Sequence, residues 1–153
     1  MDTILWCRKN KNGLKVISPN NNLSEAYFIK AEDALSAMDS VTSADWKIST
    51  GYYAMYYALY AILVRAGIES EIHTCTIECM RAFFSDYFSE KDIEAIERAK
   101  ELRIDAQYYV PEKARGKDIT WIVRAAPEFV LKCGKVSRMI KNSDIERIRK
   151  TIA

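Results

Sequence analysis

Between Ile48 and Val64 the chain carries neither a charge nor a proline. At the helical period this run divides into three faces. Tyr52, Tyr53, Tyr56, Tyr57 and Tyr60 fall within one arc of about 140°. Gly51, Ala54, Ala58 and Ala61 make a small-residue face, and Ile48, Met55, Leu59, Ile62 and Leu63 an aliphatic one. A helix that is apolar all round is buried all round. The stretch Asp45 to Gly67 is therefore expected to be the central helix of a bundle, capped by Ser43 or Thr42 and ended by Gly67.

The flanking segments read as amphipathic helices. Leu23, Tyr27, Ala31, Ala34 and Met38 recur on one stripe, with Asn22 as the expected N-cap and Glu25 in the capping-box position. This helix ends near Ser40. The connection at 41–43 is short enough to make it an antiparallel neighbour of the central helix. His73 or Thr74 opens a third helix, with Ile77, Met80, Phe84 and Phe88 on one face. Ser89 and Asp92 form the box of a fourth helix, from Glu90 to about Tyr109, ended by Val110-Pro111. Its apolar arc of Ile93, Ile96, Ala99, Ile104 and Ala106 contains Arg103. Asp118 caps a fifth helix carrying Ile119, Ile122, Ala126, Phe129, Val130, Cys133, Val136 and Ile140, which Pro127 must kink or divide. Ser143-x-x-Glu146 opens a short last one. Upstream, Thr3–Cys7 and Leu14–Ser18 are β-leaning runs around Asn12-Gly13, which predicts a hairpin. A lone hairpin is marginal in water, so it should clip onto the helical body. The expected fold is all-α, an up-and-down bundle of four to five helices with a short N-terminal β-hairpin. Residues 1–20 form the extension and 21–153 the bundle.

Composition fits one domain: 153 residues with five glycines and three prolines leave few turns. Cys7, Cys75, Cys79 and Cys133 show no framework spacing, and no apolar leader is read before Asn10. Reduced thiols in a cytoplasmic protein are expected. The uncharged run, about 17 residues, is at the lower limit for crossing a membrane, and its tyrosines suit lipid poorly. No membrane association is expected. The net charge of +2 hides an asymmetry: +3 over 1–20, −8 over 21–112 and +7 over 113–153. A basic tail on an acidic body is either a nucleic-acid surface or an end packed on that body, and alternation with apolar residues favours packing.

Familiar catalytic patterns are missing. His73 is the single histidine, in an H-x-C-x₃-C run with Cys75 and Cys79. Zinc needs four ligands and no fourth is near, so buried thiols are the expectation and no metal or cofactor is assigned. There is no nucleophile elbow and no glycine-rich phosphate loop. Glu69 and Glu71 are solvated loop acids. Arg103 needs a partner inside its apolar arc. An ion pair to another helix is the favoured one, a ligand anion the alternative. The tyrosine face divides similarly, between core or dimer packing and a stacking surface for bases.

STGYYAMYYALYAILVRAGI, EIHTCTIECM and ELRIDAQYY together resemble the HEPN (higher eukaryotes and prokaryotes nucleotide-binding) family, in its small stand-alone prokaryotic and archaeal branch. The resemblance covers about Leu23 to Phe129. It implies a helical bundle that commonly dimerises, and that occurs beside minimal nucleotidyltransferases, sometimes as toxin–antitoxin pairs. Tyr52, Tyr53, Tyr56, His73, Arg103, Asp105 and Tyr108 are the positions that match the family's blocks. Many relatives are metal-independent RNases with an R-x₄₋₆-H motif acting at a dimer interface. Here Arg65 precedes His73 with seven residues between them, at the end of one helix and the start of another. Thr50 stands where the family's central helix carries arginine. The expectation is thus a non-catalytic module that binds a nucleotide, RNA or a nucleotidyltransferase. The alternatives are an RNase using His73 with an arginine (Arg65 here, or one from the other subunit), or a purely structural dimerising module.

Overall fold

The computed structural model describes residues 2–108 and 116–153. The four long helices of the bundle are α2 (Asn21–Ser40), α3 (Ala44–Arg65), α5 (Glu90–Tyr108) and α6 (Gly116–Met139). Shorter helices are α1 (Thr3–Lys9), α4 (His73–Phe83) and α7 (Asn142–Ile152). Strands β1 (Lys15–Val16) and β2 (Ile68–Glu69) form one antiparallel pair. Helix α3 is the axis. It packs against α2, α5 and α6, and it also touches α4 and β2. Thirteen of its residues are buried, as expected of a segment with no polar stripe. No helix among the described residues is long and apolar enough to cross a membrane.

Local chemistry sets the helix ends. Ser43 caps α3, its side chain accepting from the Trp46 amide. Ser89 and Asp92 form the reciprocal box ahead of α5, at 2.8 and 3.3 Å. Lys47 Nζ donates to the Met38 carbonyl at 2.8 Å, placing a cation at the C-terminal end of α2. Gly67 follows α3 with φ +76°, the left-handed conformation glycine adopts without cost.

Several expectations need correction. The all-α class with a small antiparallel pair stands, but the pair is built differently. Thr3–Lys9 is helical, because Asp2 accepts from the Ile4 amide and acts as an N-cap. Asn12-Gly13 still turns the chain, and returns it onto that helix: the Leu14 amide donates to the Cys7 carbonyl at 2.8 Å. A Cβ on Gly13 would lie 2.0 Å from that oxygen, so only glycine permits the approach. Strand β1 then pairs with β2, Lys15 opposite Glu69 and Val16 opposite Ile68. A strand pair embedded on a helical body is stable where a lone hairpin is not.

The reduced-thiol reading also fails for two cysteines. Helix α1 lies on α4, with Cys7 and Cys75 bonded as a disulfide, while Cys79 and Cys133 are buried thiols. The pairing joins residues 68 positions apart, a distance no spacing rule could reveal. Asn20, not Asn22, caps α2 by accepting from the Leu23 amide at 2.9 Å. Pro127 lies inside a continuous α6 and does not divide it. It is exposed, as is Val123, whose carbonyl loses its amide donor there. Helix α7 begins with Lys141 as N-cap and no side-chain cap bond, so the Ser143–Glu146 box is not made. The expected stop at Val110-Pro111 lies outside the described residues.

Candidate functional site

The tyrosine face of α3 divides along its length into two rows. Tyr52, Tyr56 and Tyr60 are buried, whereas Tyr53 and Tyr57 are half-buried. The buried row faces α4. His73, the first residue of α4, stacks on Tyr56 with ring centroids 3.9 Å apart and planes 16° from parallel. Its Nδ1 lies 2.7 Å from the Tyr52 phenol oxygen. A phenol is the stronger donor of the two groups, so Tyr52 donates and the ring proton rests on Nε2. Tyr56 is satisfied by Thr76 Oγ1 at 3.1 Å, which itself donates to the Ile72 carbonyl. Farther along, Tyr60 accepts from the Ser70 amide. Every phenol of the buried row is thus hydrogen-bonded, as burial requires.

Arg103 approaches from α5. Its Nη1 donates to the Tyr53 phenol and to Gln107 Oε1, each at 3.0 Å. Its guanidinium carbon lies 5.3 and 5.5 Å from the ring centroids of Tyr52 and Tyr53, within cation–π range. The expected ion pair is not there. Among the described residues no carboxylate pairs with Arg103, and its buried Nε has no hydrogen-bond partner. Aromatic faces and neutral acceptors replace a counter-charge. Lys100, one helical turn earlier on α5, donates to Thr74 Oγ1 at 2.8 Å, so α5 presents two cations to the start of α4.

This setting favours the neutral form of each buried group. Burial pulls His73 down from 6.5 to about 4, helped by Arg103 and then Lys100. Burial pushes Tyr56 up to about 12 against the opposing bond from Thr76. Burial also raises Tyr52 well above the ordinary phenol, with the Tyr56 neighbour adding to the effect and Arg103 opposing it. Imidazole and phenols are therefore neutral at pH 7, and the arginine is the fixed charge.

A groove of about 370 Å³ opens beside Tyr53 and is lined by Ser43, Asp45, Trp46, Ser49, Ala106 and Gln107 as well. Trp46 is 64% exposed there. The structure thus brings together Tyr52, Tyr53, Tyr56, His73 and Arg103. Asp105 and Tyr108 are exposed, with Tyr108 at 71%, and no contact ties them to the cluster. Arg65 is not with His73: it lies at the far end of α3, about 20 Å from Tyr52 at 1.5 Å per residue. The sequence reading missed Trp46, Lys100, Thr74, Thr76 and Gln107. Trp46 had a signal, since it lies seven positions before Tyr53 and hence on the same helical face. The others had none, because they meet α3 only through tertiary packing. Among the described residues no group of side chains suits a metal ion. Cys75, bonded to Cys7, offers no thiolate.

Comparison with curated proteins gives no match. A scan against protein families matches the HEPN domain over residues 24–142, from the first turn of α2 to the first residue of α7. The match takes in every residue of the tyrosine, histidine and arginine cluster, and on that ground the chain belongs to the HEPN domain family.

Proposed function

We propose that this chain is a non-catalytic HEPN module that binds a nucleotide or RNA. Arg103 takes a phosphate, and the groove between Tyr53 and Trp46 takes a base. The observation that carries this reading is the half-buried Arg103 guanidinium, hydrogen-bonded only by neutral groups and free of any carboxylate among the described residues. A cation so placed has unused donors for an anion, and an exposed tryptophan beside a tyrosine supplies stacking area. Asp45 lines the same groove, next in sequence to Trp46.

Cleavage is disfavoured by the same geometry. Metal-independent RNA cleavage needs a group that gives a proton to the leaving oxygen. With its affinity at about 4, His73 is protonated in about one molecule in a thousand at pH 7. Its Nδ1 is already occupied by Tyr52. The one feature that favours an RNase is that His73 and Arg103 both lie against Tyr52 and Tyr53 within one chain. Calorimetric titration with AMP, ATP and a short single-stranded RNA tests the reading. Binding is expected, and Arg103→Gln should weaken it about tenfold or more. If none of the three binds, the reading is wrong. Incubation of RNA with the protein in chelator should leave the RNA intact; cleavage abolished by His73→Ala would replace binding with catalysis.

The proposal includes assembly, on the family's account. A homodimer and a minimal nucleotidyltransferase partner, in a toxin–antitoxin-like setting, fit a chain that exposes Leu131 and Met139 on α6. Sedimentation of the protein alone and with its genomic neighbour tests both, and a lone monomer in each case removes this part.

A further inference from the structure

The basic tail is not used by the tyrosine site, yet it builds a second polar cavity at the other end of α3. This cavity, of about 320 Å³, is lined by Arg65 from α3, Arg149, Glu146 and Asn142 from α7, and Asn21 from α2. The Nε atoms of both arginines are buried, and neither has a hydrogen-bond partner. Arg149 donates through Nη2 to the Ile17 carbonyl at 2.9 Å. The Arg65 side chain takes part in no hydrogen bond and no ion pair among the described residues. Glu146 faces the same cavity and pairs with neither. A half-buried guanidinium with no partner is an unfavourable way to build a helix end, since it is partly desolvated without return.

The surroundings hold these groups in place. Gly67 carries no side chain where a Cβ would lie 2.7 Å from Arg149 Nε and 2.6 Å from the Ile17 oxygen. Arg149 can therefore lie flat against the end of α3, beside Arg65. Two guanidiniums against one carboxylate leave the lining with a charge of +1, and the two asparagines add neutral donors. Helix α7 starts at Asn142 without a side-chain cap, which adds the positive end of its dipole. Planar cationic forks with amide donors match the oxygens of a phosphate.

We propose that Arg65 and Arg149 form a second anion site, which holds a phosphate group of a nucleotide or of an RNA backbone at the end of α3 remote from His73. It stands apart from the Arg103 site, and resonances local to Gly67 and Asn142, with Arg103→Gln as the control, separate the two. The full chain is titrated with inorganic phosphate, AMP and a short RNA while the amide resonances of Gly67 and Asn142 are followed by NMR. Both should move with inorganic phosphate. Arg65→Gln should weaken that response about tenfold, and Glu146→Gln should tighten it about threefold. Arg103→Gln should leave it unchanged. Because the Arg65 side chain makes no internal bond, Arg65→Gln should keep the Tm of the ligand-free protein. Equal affinities for phosphate and AMP assign the site to the phosphate alone, and a tighter RNA complex assigns it to the backbone. Either supports the site. No response to any probe, or a response that survives Arg65→Gln, overturns it.

Discussion

Protonating His73 should destabilise the fold, and the structure sets the size of the effect. The ring lies on Tyr56, accepts from Tyr52 and has two cations on α5 nearby. Its proton affinity falls from 6.5 to about 4 on folding, first through burial and then through Arg103 and Lys100. Between those two values the unfolded chain binds the proton and the folded one does not. Stability is therefore complete above pH 6.5 and is lost as pH falls toward 4. The full difference corresponds to about 3 kcal/mol at 1.36 kcal/mol per pH unit. The ring is only half-buried, so screening by water reduces this to about 1–2 kcal/mol. As the single histidine, His73 gives one imidazole resonance to follow by NMR. Its midpoint should lie near 4, and Arg103→Gln should raise it by about half to one pH unit. Urea unfolding at pH 7 and pH 5, with His73→Gln as reference, should show the loss only in the parent. A midpoint at or above 6.5, or one unmoved by Arg103→Gln, would refute the electrostatic account of the site.

Three further outcomes follow from packing. Gly51→Ala should destabilise by about 1–3 kcal/mol despite its better helix propensity, because the new Cβ would lie 2.6 Å from Ile122 Cγ1 and 3.0 Å from Met38 Sδ; chemical denaturation measures it. Removing the Cys7–Cys75 bond with Cys7→Ala should cost about 4 kcal/mol by chain entropy over a 68-residue separation, and reductant should lower the Tm of the parent while leaving the variant unmoved. Tyr52→Phe leaves His73 Nδ1 without its donor and should cost about 1–2 kcal/mol in the same denaturation assay. An unchanged midpoint would mean that solvent reaches the imidazole.

The sequence alone determined what depends on local period and local caps. A run of residues without charge from Ile48 to Val64 has no face that prefers water, so α3 had to be the axis. The Ser43 cap, the Ser89–Asp92 box and the left-handed Gly67 were legible because each is satisfied within a few residues. Recognition of the family was local too, since its blocks are contiguous. What the sequence could not decide were the partners of groups that find them across the fold. Arg103 asked for a carboxylate and found two phenol rings and Gln107. Cys7 asked for nothing by its spacing and lies against Cys75 only because α1 folds onto α4. The β-leaning Thr3–Cys7 became a helix once Asp2 capped it. Arg65 and His73, close in sequence, are separated by the turn at Gly67 and the strand β2. His73 and Arg103, thirty residues apart, face each other because α3, α4 and α5 share one core. Propensity and spacing act over a few residues, whereas the environment of a charge is set by whichever helices pack around it.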